Sequence, residues 1–560
     1  MMSDTPLNIV LCWHLHQPYY YNQLTQQYQL PWTYLHGIKD YVDMAAHLEA
    51  NPSAKAVINF APTLLEQLDD YAININAFLQ ENAPLHDPLL VALASQAHLK
   101  NSETRLQLVE QCLRANRERL IQRFAPYQQL VGIAEWARQH PPAIDYLNEQ
   151  FCRDLVVWYH LAWMGETVRR QHTGIQALIE KECNYTLEDC LSLLIIIQQL
   201  LAGIIPRYRA LLEKGQIELS FTPYAHPILP LLLDLNSARE ALPDSALPNL
   251  AQYPDGVERA RWHIQQGLAT IEHYFGQRPT GCWVAEGGIS DATVRLLDTE
   301  KMPWVASGET VLHNSLYRAG MQPNSLYKPY QLPNTQTCCF FRDDHLSDLI
   351  GFQFSQWHAD DAVAHLVHQL ETIADTQPQA QTVAIILDGE NAWEYYPENG
   401  YYFLSALYRT LAKHPRLRLS TFQEACSTPA ERLPHLVAGS WVYGTFSTWI
   451  GDKDKNRAWD MLGDAKQMFD QRIKQIPVKQ RALAEKQLAI CEGSDWFWWF
   501  GDYNPSDAVR DFDQLYRTHL HNLYHYLSVP PPAYLQHVFS VGSGAPAMGG
   551  TMRPAQEQKT

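Results

Sequence analysis

The stretch Ile385-Ile386-Leu387-Asp388-Gly389-Glu390-Asn391-Ala392-Trp393 sets the reading of the whole chain. A short apolar run of strand character ends in a carboxylate, and a glycine then breaks it. Gly281-Cys282-Trp283-Val284-Ala285-Glu286-Gly287-Gly288 repeats the pattern upstream. Two carboxyl groups are what cutting a glycosidic bond needs: one attacks or stabilises the sugar cation, the other protonates the leaving oxygen. Asp388 and Glu286 lie far apart in sequence, so only a fold that gathers strand ends can pair them.

Further strand-like runs occur at 8–13, 56–60, 216–221, 282–285, 304–306, 350–354 and 382–387, separated by longer helical stretches. That alternation predicts an α/β fold with a parallel sheet, and this many strands predict closure into a barrel. In such a barrel the chemistry collects at the C-terminal strand ends. Just past the runs stand His14 and His16, Glu286, the Ser307-Gly308-Glu309 turn and Asp388. Residues 1–425 are read as the catalytic barrel, with a helical insertion at about 69–213. Residues 426–535 are read as a C-terminal helical domain, and 536–560 as a disordered tail from their Gly, Ala and Pro content.

A net charge of -17 argues against a nucleic-acid or anionic-membrane partner, because either needs a basic face. A neutral substrate fits better, and 16 Trp with 29 Tyr supply rings that stack on sugars, although most will be core. The ten cysteines show no C-x-x-C spacing, which predicts reduced thiols in a cytoplasmic protein. The opening residues lack a basic segment followed by an apolar one, so no signal peptide is expected. The most apolar run, 191–205, stops at Pro206 and reads as a buried helix rather than a membrane span.

His14 and His16 share one strand face, and three roles stay open for them: structural, metal-binding, or contact with sugar hydroxyls. No further ligand stands nearby in sequence, so no metal is expected. Glu218, inside a strand, either meets substrate or pairs with a basic residue. Trp496, Trp498 and Trp499 cannot all face one side of an element, so packing and cleft lining divide them. Asp343 and Asp344 read as a helix cap.

His14-Leu15-His16-Gln17-Pro18-Tyr19 resembles the first signature of glycoside hydrolase family 57. Gly215-Gln216-Ile217-Glu218-Leu219, running on to Tyr224-Ala225-His226-Pro227-Ile228-Leu229-Pro230, resembles the second. Trp283-Val284-Ala285-Glu286 and Leu387-Asp388-Gly389-Glu390-Asn391-Ala392-Trp393 resemble the third and fourth. Ser440-Trp441, Trp449-Ile450-Gly451, Asn456-Arg457-Ala458-Trp459 and the Glu492-to-Gly501 stretch are similar to the α-amylase and amylopullulanase-like subgroup. The resemblance runs in order from Ile9 to about Asn504. It implies a (β/α)7 barrel with a C-terminal helical domain, acting on α-glucans with retention and without a cofactor.

By that resemblance Glu286 is the nucleophile and Asp388 the acid/base. His14, His16, Glu66, Glu218, His226, Trp283, Trp357, Trp393 and Trp498 are the candidate substrate contacts. Val284 departs from the subgroup, where many members carry proline, and this weakens any choice of substrate. An α-amylase or amylopullulanase is the first expectation, a 4-α-glucanotransferase or branching enzyme the second. A metal-dependent polysaccharide deacetylase and a non-catalytic glycan-binding protein are readings from other classes.

Overall fold

Seven short segments owe their strand form to the burial of every residue but one, which demands that all backbone polar groups be paired within a sheet. They are β1 (Leu7–Leu15), β2 (Ala56–Phe60), β3 (Ile217–Phe221), β4 (Gly281–Trp283), β5 (Trp304–Gly308), β6 (Cys338–Arg342) and β7 (Thr382–Asp388). In the computed structural model, which describes residues 6–95, 101–321, 325–544 and 552–555, neighbouring strands pair in parallel in chain order. The Ala384–Arg342 bridge joins β7 to β6, and β7 pairs with β1, closing a seven-stranded parallel barrel.

Six of the seven expected strands are present. The run 350–354 is instead helical, because Ile350 and Phe354 lie one turn apart and are buried while Phe352 and Gln353 face solvent. The remaining barrel strand is β6, whose sequence Cys-Cys-Phe-Phe-Arg is buried throughout.

Alternation places Val10, Cys12, Val57, Trp283, Trp304, Ala306, Cys338, Phe340, Ala384 and Ile386 in one cluster inside the barrel. Continuing the same period of two upward puts His14, Asn59, Arg342 and Asp388 on the inward face at the C-terminal rim. Asn59, His14 and Asp388 stand side by side across β2, β1 and β7.

Between β2 and β3 the chain is helical, opening with α1 (Pro62–Glu81) and closing with α2 (Leu187–Glu213). Among the described residues α2 is the one helix long and apolar enough to cross a membrane. It continues through Pro206, where the sequence suggested a stop, and buries Leu193, Leu194, Ile197, Leu201, Ile204, Tyr208 and Leu211 as a core stripe against α1. Beyond the barrel, α4 (Lys453–Arg472), α5 (Val478–Cys491), α6 (Asp495–Trp499) and α7 (Ser506–Tyr526) form a helical unit. It is tied to α3 (Gly256–Phe275) of the barrel layer. Glu492, buried just after α5, accepts from Arg259 Nε and Nη2, Tyr253 Oη and His263 Nε2.

The tail read as disordered is partly packed. Phe539 lies edge-on to Phe500, and Ala555 is buried.

Candidate active site

β4 and β7 stand on opposite sides of a seven-membered ring, so Glu286 and Asp388 face each other across the barrel mouth. Glu286 follows β4 in a left-handed backbone conformation (φ 55°, ψ 26°), which a non-glycine residue holds only when its surroundings enforce it. Here the Trp441 N–H donates to the Glu286 carbonyl at 3.2 Å, and Ser307 Oγ donates to the Gly287 carbonyl at 2.6 Å. The Trp441 indole N–H also donates to Glu286 Oε2 at 3.0 Å. Trp441 is held in turn by Trp283, edge-on at 5.7 Å below it, and by the Arg342 guanidinium 4.9 Å over its ring. Gly308 permits this arrangement, since a Cβ there would lie 2.6 Å from Trp441 Cα.

Asp388 ends β7 and accepts from Asn391 Nδ2 at 2.9 Å. Burial and the Asp388 charge push Glu286 up to about 8, opposed by the Trp441 donor. Burial also raises Asp388, opposed by the Asn391 donor and by the positive fields of His16 and Arg342. Two carboxyls that disfavour each other's charge titrate as a pair. Glu390 is buried beside them, accepts only long bonds from the His16 backbone and Gln17, and is raised by burial and by Asp388.

The third cluster is histidine. His14 Nδ1 lies 2.6 Å from Asn59 Oδ1, whose amide is oriented by bonds to Ser220 and Thr222. His14 therefore donates through Nδ1, leaving a lone pair on Nε2 that faces His226 Nε2 at 3.1 Å. Ser494 Oγ sits 2.8 Å from His226 Nδ1, and Asp495 Oδ1 2.7 Å from His16 Nε2. Burial lowers both His14, to about 3, and His226, so both are neutral.

The expectation that the His14/His16 pair lacks a further ligand is corrected, because the fold brings His226 in from beyond β3. The three histidines offer ligand atoms within 4.8 Å of one another and could hold a metal ion. Against three-way chelation, the His16 and His226 rings stack face to face at 3.9 Å and 11°. A ring nitrogen's lone pair lies in its own plane, so parallel faces direct those pairs alongside one another instead of toward one point.

Other sequence candidates fall elsewhere. Glu218 lies near the N-terminal end of β3, away from the rim, and accepts from Thr280 Oγ1, the Trp304 indole and the Gln423 N–H. It is a satisfied barrel-floor carboxylate, and the substrate role expected for it is corrected. Trp393 is likewise buried outside the barrel against Trp13, Tyr396 and Phe403, donating to the Gly389 carbonyl, so it cannot meet a sugar. Trp357 is 42% exposed, but its ring partners are Phe354 and His365. Trp283 is buried as the floor beneath Trp441. Glu66 pairs with Lys486 at 2.6 Å and accepts from Tyr224 Oη, two residues before His226. Asp343 caps the turn after β6, as expected.

The α6 run divides by helix face. Trp496 and Trp499 pack on Phe512 of α7, whereas Asp495 meets His16 in the site and Trp498, three residues on, lies tilted against Trp449. Trp441, Arg342, Asn59, Ser494 and Asp495 had no assigned role in the sequence. Arg342 was hidden with the strand it ends. Asn59 closes a recognised strand on its inward face and was findable.

The glycosyl hydrolase family 57 model matches residues 10–435. The chain belongs to glycosyl hydrolase family 57. Solved structures share its fold at low identity. A branching enzyme of this family from Thermococcus kodakaraensis is 14% identical with a TM-score of 0.55, covering 93% of this chain and 90% of its own. A family 57-type branching enzyme from Pyrococcus horikoshii is 14% identical at 0.55, covering 98% and 100%. The alpha-amylase AmyC from Thermotoga maritima is 14% identical at 0.56, covering 94% and 93%. The family 57 fold is thus the (β/α)7 barrel with C-terminal helices described above, and the chain is an enzyme of the glycoside hydrolase or transferase class.

Proposed function

We propose that this family 57 enzyme cleaves α-glucans with retention, using Glu286 as nucleophile and Asp388 as acid/base, and that water resolves the intermediate, as in an α-amylase or amylopullulanase. The observation that carries the reading is the carboxyl pair on opposite sides of the barrel mouth, the charge of one raising the cost of charging the other. The productive form has the charge on Glu286, stabilised by the Trp441 indole, and the proton on Asp388. Direct attack on the anomeric carbon needs carboxyl groups ~5–5.5 Å apart. Once Glu286 is esterified its charge is gone, the Asp388 carboxyl becomes more acidic, and Asp388 then takes the proton of the incoming water.

The α-glucan substrate is supported by the names of the similar structures and by the aromatic, acidic character of the chain. Incubation with a linear malto-oligosaccharide tests the reaction. New reducing ends are expected. A ladder of longer and shorter chains at constant reducing ends would instead mean a 4-α-glucanotransferase, and new branch points a branching enzyme. The ten unpaired cysteines favour a reducing, cytoplasmic setting, which localisation of the tagged protein would check.

A second reading, a metal-dependent deacetylase on the same barrel, would need the three histidines to leave their stacked arrangement and hold a metal. That enzyme would lose activity to chelator and regain it with zinc, whereas the glycosidase is expected to keep its activity in chelator.

A further inference from the structure

The C-terminal residues 552–555 cross the rim of the candidate site. The Arg553 guanidinium lies 4.7 Å over the Trp498 ring and 5.1 Å over Tyr503, and its Nη2 donates to Asn504 Oδ1 at 3.0 Å. Two residues on, Ala555 is buried. Its N–H donates to Asp348 Oδ2 at 3.0 Å, and its carbonyl accepts from the Tyr443 N–H at 2.9 Å. Asp348 is held by Arg342, and Tyr443 follows the Trp441 that binds Glu286, so the segment joins the helical unit to the loops around the nucleophile.

Trp498 stands three residues along α6 from Asp495, which meets His16 in the site, and its ring also lies tilted against Trp449 at 5.9 Å. A sugar ring stacking there would need the ring face that a guanidinium now covers. We propose that Arg553 is a specificity residue: it occupies the Trp498 stacking face, an outer sugar-binding position, and longer glucan chains must displace it. This rests on the α-glucan reading of the site. The guanidinium also contributes a positive field at Glu286 and favours its ionised form.

Binding to amylose in a Glu286→Gln background, which needs no turnover, is the direct test. Adding Arg553→Ala, or ending the chain at Thr551, is expected to tighten amylose binding about three- to tenfold, the range of a displaced cation–π contact, and to change maltotriose binding much less. In the otherwise native enzyme Arg553→Ala should move the acidic limb of the rate profile to higher pH. Arg553→Lys, which keeps charge but loses the flat stack, should leave that limb in place. Unchanged amylose binding in both variants overturns the proposal. Failure of Glu286→Gln to bind amylose overturns both the proposal and the substrate reading. Tightened binding with a wild type that cleaves no glucan overturns only the catalytic reading.

Discussion

Asp388 and Glu286 are alike in sequence setting and differ in what surrounds them. Glu286 takes an indole donor in an enforced left-handed turn, whereas Asp388 takes an amide donor at a strand end. Asp388→Asn should lower kcat on ordinary glucans by ~10²–10⁴-fold, the usual worth of a positioned proton donor. It should spare an activated glycosyl fluoride, whose leaving group needs no proton. The Asp388 charge is one cause that raises Glu286, so removing it makes Glu286 ionise more readily. With the fluoride, the acidic limb should therefore move to lower pH. A limb that stays put would show that the two carboxyls do not sense each other. At this scale the sequence showed the two carboxylates, because a strand ending in Asp or Glu before glycine is visible without a fold. Glu218 is the same residue type at the wrong end of its strand, and Trp393 is an aromatic on the wrong side of the barrel; neither position is visible in a single chain.

Elements set those positions. Gly308 ends β5 and leaves room for the Trp441 loop. Gly308→Ala, which touches no polar group of the site, should shift that loop off Glu286 and cut kcat at least ~10-fold by loss of a charge-assisted hydrogen bond, while the fold persists. Retained activity would mean the Trp441 contact is dispensable. Glu492 closes the helical unit onto α3. Burial alone would raise it, but Arg259 and His263 hold it down to about 2. Its folded value lies below its ordinary value of 4.5, so its contribution to stability is full above about pH 4.5 and fades as pH falls toward 2. Arg259→Leu would strand that carboxylate and should destabilise by ~3–5 kcal/mol in a denaturant titration at neutral pH. A change under ~1 kcal/mol would contradict the role given to this ion pair. The alternation of strand and helix is readable here, yet it marks 350–354 as a strand and does not mark β6. A five-residue apolar run looks the same to a pattern of two as to one helical turn, and only burial separates them.

At the scale of the molecule, the site is not contained in the region matched by the family model. That match ends at 435, but His226 and His16 are held by Ser494 and Asp495 of the helical unit, and Arg553 reaches back to the same rim. The barrel class and the insertion were legible because strands and helices announce themselves locally. The convergence of β1, β3 and α6 on one histidine cluster was not, since nothing in residues 14, 226 and 495 states that they meet.

Retaining cleavage at this site requires Glu286 to become bonded to sugar. The enzyme should be treated with an activated fluorosugar that slows release of the intermediate, digested, and read by mass spectrometry. A glycosyl adduct on the peptide carrying Glu286, absent in Glu286→Gln, is the predicted result. An adduct on another side chain, or steady turnover to inverted product with no adduct, would contradict it.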